Sequence, residues 1–324
     1  MIVCCGENLI DMVPLEGAKS GAGVPAPYGG FRVAPGGCPY NSAIAAARLG
    51  AEVRFLGAMS SDFLGDKLFA RLVENGVGTE LLIRSQRPVL LAFVEKNAAG
   101  EARYAFYAEG AADRSLTPEM LPPSLPREAR FLLVGSISLM LEPSASAISL
   151  LVERESDRLL VSFDPNIRPS LIPDKAAYLE KFERLCASCA IVKASDSDLE
   201  WLYGSAPIGD IVARILGLGP DLVFATLGEK GSLATTKRAK ASIEAFHVPI
   251  ADTIGAGDTF HAAILAALDR KGIATRAALS ALGEDELFAL LRFASAAAAI
   301  NCTRQGADPP LLDELERVYP GCGL

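Results

Sequence analysis

The sequence is short of the groups that usually announce a function. It has two histidines, His247 and His261, and seven cysteines (4, 5, 38, 186, 189, 302 and 322). Only Cys186 and Cys189 form a C-x-x-C, and no second pair exists to complete a tetrahedral zinc site. The cysteine count is odd and the residues sit mostly in apolar segments, which predicts reduced thiols acting as small hydrophobes in a reducing compartment. Basic excess is also missing: 31 Lys and Arg face 39 Asp and Glu, a net charge of -8. That excludes a nucleic-acid groove or an anionic membrane surface as partner and leaves a small molecule. The most apolar run, LFALLRFASAAAAI (287 to 300), is too short for a membrane span and contains Arg292. The start, MIVCCGENLIDMV, has no basic residue and no small-residue cleavage site, so it does not read as a signal peptide, and a cytoplasmic protein is expected. No G-x-x-x-x-G-K-[ST] loop, no G-x-S-x-G elbow and no internal repeat occurs.

What remains is apolar bulk in an ordered rhythm. Half of the 324 residues are apolar and 22% are charged, enough for a large core in one big domain or two small ones. Strand-length apolar runs recur at 2–6, 53–59, 131–137, 159–164, 190–195 and 222–228. Helix-period segments such as NSAIAAARLG (41–50) and DFLGDKLFARLVENG (62–76) lie between most of them, each ending in glycine. Continuous apolar strands alternating with helices predict an α/β fold whose parallel sheet is covered on both faces. Two segments break the rhythm. PVLLAFVEK (88–96) and EARYAFYAE (101–109) alternate as a β-hairpin does, and 14–35 is rich in Gly and Pro. Together they predict a small β subdomain, placed to act as a lid over the sheet's open end.

The stretch ADTIGAGDTF (251–260) removes side chains ahead of a helix and then supplies one acid. A glycine-rich turn into a helix leaves unpaired amides at its positive end, so Gly255, Ala256 and Gly257 form an anion cradle. Asp258 has two readings on this stretch alone: the acid that first turns favour, or a base that orients a hydroxyl attacking a phosphoryl group. The glycine pair before Asn41, in APGGCPYN, places that amide to reach a polyol, and TLGEKGS (226–232) puts Gly228 at a strand end near a nucleotide's path; each is otherwise an ordinary turn. Asp258 and His261 share a helix face, but a hydrolase lacks its nucleophile, and His261 reads as a helix residue at the core boundary. A sugar-binding regulator without catalysis keeps the fold and has no use for Asp258.

GENLIDMVP, GGCPYN, DPNIRP, TLGEKG and DTIGAGD occur in the order and spacing of the ribokinase-like (PfkB) carbohydrate kinases, and the resemblance covers essentially the whole chain. Within that family the chain is most similar to bacterial fructokinases, through FLGAMSSDFLGDKL, YAFYAEG and LRFASAAAAINCTRQGA. The resemblance implies a single ribokinase-like domain over 1–324: a three-layer α/β/α fold with a mostly parallel central sheet and a small β lid from about 12–35 and 88–111. It implies ATP-dependent transfer of the γ-phosphoryl group to a primary hydroxyl of a small sugar, fructose first, with 2-keto-3-deoxygluconate, ribose or a nucleoside as alternatives. Asp258 matches the catalytic base and Gly255, Ala256 and Gly257 the anion hole. Asp11, Gly36, Gly37 and Asn41 would hold sugar hydroxyls, and Arg168 would stand near the sugar or the transferring phosphate. Phe93, Tyr104 and Phe106 of the lid would set sugar specificity. Lys193, Thr226, Gly228 and Gly231 would border ATP, with Ala297 to Asn301 walling the adenine. Where the family often carries N-x-x-E for magnesium and water, this chain has Lys193 and Asp196, the latter an indirect, water-mediated partner of Mg²⁺. A monovalent cation is a further candidate cofactor, and an exposed hairpin edge allows a homodimer.

Overall fold

The computed structural model describes residues 1–15, 30–96 and 102–322. Parts of the expected lid, 16–29 and 97–101, lie outside the described residues. The chain starts with β1 (Ile2–Cys5), enters a small sheet with β2 (Leu9–Pro14) and β3 (Phe31–Gly36), and returns through α1 (Cys38–Arg48). After β4 (Val53–Ser60), α2 (Phe63–Glu74) and β5 (Leu82–Ser85) it adds β6 (Leu90–Lys96) and β7 (Ala102–Tyr107) to the small sheet. Alternation then resumes with β8 (Phe131–Gly135), α3 (Ser144–Glu155), β9 (Leu160–Asp164), α4 (Lys175–Ser188), β10 (Ile191–Ser195), α5 (Asp196–Tyr203), α6 (Ile208–Leu218) and β11 (Leu222–Thr226). β12 (Ser232–Thr236) and β13 (Lys240–Ile243) precede the closing helices α7 (Ala256–Arg270), α8 (Arg276–Ser280), α9 (Glu284–Cys302) and α10 (Leu312–Val318).

The large sheet has nine strands in the order β13-β12-β11-β10-β9-β8-β1-β4-β5. Among its described strands, β12 alone runs opposite to the rest, antiparallel to both β11 and β13. Along β1, Ile2 and Cys4 enter a core made with α1, α7 and α9, while Val3 and Cys5 enter another made with α3, α4 and α6. This is why the strand reads as unbroken apolar sequence: both faces are dry. On the first face, alanines of α7 (262, 263, 266, 267) and α9 (294, 296, 297) are buried together, and their small side chains let the two helices pack closely.

The chain runs outward from β1 in both directions, to β4 on one side and β8 on the other, so the strand order reverses between β1 and β8. At such a switch point the flanking loops part and leave a crevice at the strands' carboxyl ends. The small sheet, β3-β2-β6-β7, stands over that crevice. Its register puts Asp11, Ala34, Ala92 and Phe106 side by side on one face, and period-two alternation sends Phe93 and Ala105 to the other.

Candidate active site

A cavity of about 550 Å³ lies between the loops after β1, β8 and β9, the inner face of the small sheet and the start of α7. That volume suits a small polar ligand. Asp258 is the third residue of α7 and is 8% exposed. The helix begins from Gly255 in the left-handed region (φ 77°), and a Cβ there would come within 2.6 Å of the Ala307 Cβ, so both conformation and space demand glycine. The amides of Gly255 and Gly257 have no acceptor among the described residues, as an anion cradle requires. The Ala256 amide differs from expectation: it donates to the Thr253 carbonyl at 3.2 Å, which tightens the turn and removes one of the three predicted donors.

The Asp258 carboxylate accepts from the Asn41 side-chain amide at 2.8 Å. Burial pushes its carboxyl up to about 6, while the donors on Asn41 and Cys38 pull it down. Under the cradle lies Lys193, 4% exposed and bonded to Asp164 at 2.9 Å. A Cβ on Gly257 would sit 3.0 Å from its ammonium nitrogen, so glycine lets the charge approach the backbone. Burial favours the neutral amine there, but the Asp164 and Asp198 carboxylates outweigh it and hold Lys193 protonated. The site thus pairs a fixed cation and free amides with a carboxyl poised to titrate near neutrality.

Across the cavity Asp11 projects from β2, with Gly36 buried against its carboxylate and Gly37 turning the chain into α1. Burial pushes the Asp11 carboxyl up to about 7, Arg168 draws it down and Asp258 raises it. The Arg168 guanidinium lies 5.0 Å over the Tyr104 ring and bonds to Asn166 at 2.7 Å. Tyr104 stacks on Phe106 with centroids 5.7 Å apart, and both line the cavity.

Several predicted residues stand elsewhere. Phe93 is on the outer face of the small sheet, edge-on to Phe31 (5.3 Å) and Tyr107 (5.4 Å), and does not line the cavity, because it is one residue out of phase with the inner row. Of the segment expected to wall the adenine, Ala297 and Asn301 are fully buried and Ala298 is partly exposed. Asn301 instead donates to the Ile254 carbonyl at 2.8 Å and accepts from the Asp308 amide at 2.9 Å, fastening the cradle's turn. Thr226, Gly228 and Gly231 lie at the end of β11 and the turn into β12, on the same sheet edge but outside the cavity. Asp196 opens α5 and takes only the neighbouring Ser197 amide among the described residues. The buried carboxylate of that segment is Asp198, which accepts from the amide of the N-cap residue Ser195 in the α5 capping box and from the Ile167 amide at 2.8 Å. His261 is not at a boundary but fully buried, bonded to Ser162 at 2.5 Å, and burial lowers its pKa to about 3, so it is neutral.

Other lining residues had no role assigned from the sequence, although Glu7 lies in GENLIDMVP and Asn166 in DPNIRP. Glu7 is buried at the end of β1, accepting from the Cys38 amide (3.0 Å) and the Ser138 amide (3.3 Å), and so ties α1 to the loop after β8. Ser136 and Asn166, after β8 and β9, hold positive φ values of 56° and 37°. Non-glycine residues in that region cluster at functional sites, and both border the cavity. Cys38, Asp164 and Asp258 place ligand atoms within 4.8 Å of one another. They do not fit Mg²⁺, which wants hard oxygen donors: Asp164 is engaged by Lys193, and burial keeps the thiol protonated. Asp196, partly exposed with few partners, fits a water-mediated contact to a nucleotide-borne cation.

Comparison with known proteins agrees with this geometry. Residues 1–314 match the model of the pfkB family carbohydrate kinases. The chain is 38% identical over 287 residues to a fructokinase of Rhizobium leguminosarum bv. trifolii, covering 89% of this chain and 85% of that protein. It is 39% identical to fructokinase-2 of Solanum lycopersicum, covering 96% and 93%. The crystal structure of a Xylella fastidiosa fructokinase with bound ATP superposes with a TM-score of 0.87 at 29% identity, covering 98% of this chain and 97% of that one. With the switch-point cavity, the glycine cradle and Asp258 in one place, the chain belongs to the pfkB family of carbohydrate kinases.

Proposed function

We propose that the protein is an ATP-dependent sugar kinase that transfers the γ-phosphoryl group of ATP to a primary hydroxyl of fructose. One observation carries this reading: Asp258 shares the first turn of α7 with the free amides of Gly255 and Gly257, so base and phosphate cradle are fixed on one rigid element. Asp258 takes the sugar hydroxyl's proton at its carboxylate, late in a loose transition state, and orients that oxygen beforehand. The two amides, the α7 dipole and Lys193 meet the negative charge on the transferring group. Asp11 and Asn41 orient the sugar, with Gly37 letting α1 start close to it. Arg168 flanks the reacting region, and Tyr104 and Phe106 cover it, limiting loss of the phosphoryl group to water. Asp196 would hold Mg²⁺ through water, and the ion would supply charge neutralisation for the nucleotide's phosphates. Nucleotide would extend from the cradle along the β11 end past Thr226, Gly228 and Gly231.

In this reading residues 1–324 act as one catalytic domain, in the cytoplasm, consistent with seven free thiols and with no described helix long and apolar enough to cross a membrane. The partners are the sugar and ATP, without nucleic acid. A second copy would cover the outer face of the small sheet, where Phe31, Val33 and Tyr107 are exposed. Fructokinase names among the relatives favour fructose. The lining supports a neutral sugar: Glu7, Asp11, Asp252 and Asp258 face the cavity against only Arg168 and Lys193, which disfavours an acid such as 2-keto-3-deoxygluconate. Ribose and nucleosides are the remaining competitors. ADP release measured across a panel of sugars and nucleosides decides: the reading expects at least about a hundredfold preference in kcat/KM for D-fructose, roughly 2.7 kcal/mol in barrier. A better acid or nucleoside substrate overturns the choice of fructose, and no ADP release with any acceptor overturns the kinase.

A further inference from the structure

The residue that joins the small sheet to the phosphate cradle is Arg32. It lies on β3 opposite Val13, on the sheet's inner face. Its guanidinium reaches across to Asp252, at 3.3 Å, in the loop that leads into α7. Asp252 is a junction. Its other oxygen accepts from the Ile254 amide (3.2 Å), immediately before Gly255. The oxygen that meets Arg32 also accepts from the Gly306 amide (3.0 Å), in the loop whose Ala307 packs against Gly255. One ion pair therefore fastens the lid to both loops that shape the cradle.

The charge logic is specific. Asp252 lines the same cavity as the cradle, and a bare carboxylate there repels an incoming phosphate. Arg32 is the basic partner that Asp252 meets, and it is carried by the sheet that also carries Asp11. Sugar held by Asp11 therefore fixes the element that brings a compensating positive charge to Asp252. A purely structural ion pair on a partly exposed surface contributes little to stability and predicts no such link between ligands.

We propose that Arg32 is a positioning residue that couples sugar binding to nucleotide binding: with the lid seated on the sugar, Arg32 neutralises Asp252 and the cradle accepts the phosphate; with the lid away, it does not. This rests on the kinase reading above. It makes the two ligands mutually reinforcing, because coupling between sites is reciprocal.

The test is calorimetric titration of the full-length protein with the non-hydrolysable analogue AMP-PNP and Mg²⁺, with and without saturating sugar, alongside turnover. Wild type should bind AMP-PNP at least about fivefold more tightly in the presence of the sugar it phosphorylates, the lower end of ordinary coupling. Arg32→Met should reduce that tightening below about twofold, while sugar affinity without nucleotide changes little. Arg32→Lys, which keeps the charge, should retain more than about threefold tightening, a rescue that a packing role would not produce. Thermal melting shows that each variant is folded, and Arg32→Gln replaces Met if that variant is not. Coupling that survives in Arg32→Met, a wild type whose nucleotide affinity ignores its own substrate, or an Arg32→Lys variant with no coupling each overturns the latch. No turnover on any sugar overturns the kinase reading and the latch with it.

Discussion

At the scale of the residue, Asp258 is set to act by competing influences: burial pushes its carboxyl up to about 6, and the donors on Asn41 and Cys38 restrain that rise. In the proposed mechanism Asp258 acts as a base only when ionised, so kcat/KM should fall about tenfold per pH unit below roughly pH 6, with Asp11, pushed up to about 7, bending the profile near neutrality. Asn41→Ala removes a donor to the ionised form, so the acid limb should move upward in pH. A pH–rate profile of both proteins checks this, and an unmoved limb would show that Asn41 does not tune the base. Much of this was legible only through the family resemblance, since on this stretch alone Asp258 also reads as the acid that a helix's first turn favours. The position of Phe93 was not legible: alternation divides a strand into two faces without saying which looks inward. Nor was Asp198 distinguishable from Asp196, since only the capping geometry of α5 decides which carboxylate turns into the protein.

At the scale of the element, the six apolar runs read from the sequence are β1, β4, β8, β9, β10 and β11, legible because strands buried on both faces leave no polar interruption. β12 and β13 escaped because polar residues interrupt them: the edge strand β13 exposes Lys240 and Ser242, and β12 alternates buried Ser232 and Thr236 with half-buried Leu233 and Thr235. The TLGEKGS turn connects β11 to β12, so the ordinary hairpin reading and the binding reading describe the same place. The centre of the sheet holds a charged cross-link, Lys193 on β10 to Asp164 on β9. Removing one partner of a buried pair strands the other charge, so Lys193→Met should cost about 3–5 kcal/mol in urea unfolding as well as activity. A loss under about 1 kcal/mol would mean that water reaches Asp164 and that the pair does not brace the two strands.

At the scale of the molecule, three buried carboxyls share one pH signature: Asp11 and Asp113 are pushed by burial up to about 7, and Asp258 to about 6, from an ordinary 3.8. The folded state therefore holds these protons more tightly than the unfolded chain. That stability is full below about pH 4 and is lost as pH rises through 6 to 7. Self-repulsion in a chain of net charge -8 acts in the same direction. The melting temperature of the ligand-free protein should fall between pH 5 and pH 8; a rise across that range would mean that these carboxyls are already ionised in the fold. The three-layer α/β/α architecture was legible as a whole, since it follows from alternation. The convergence of Glu7, Ser136 and Asn166 on one crevice was not, because it depends on where the strand order reverses.

Asp258→Asn offers the sharpest measurement, because it changes one atom of the base and leaves the cradle's backbone untouched. Turnover of fructose should drop by about a thousandfold or more, while the dissociation constants for sugar and for AMP-PNP stay within about threefold of wild type. Turnover close to wild type would mean that the proton leaves by another route and that the first turn of α7 is not the catalytic centre.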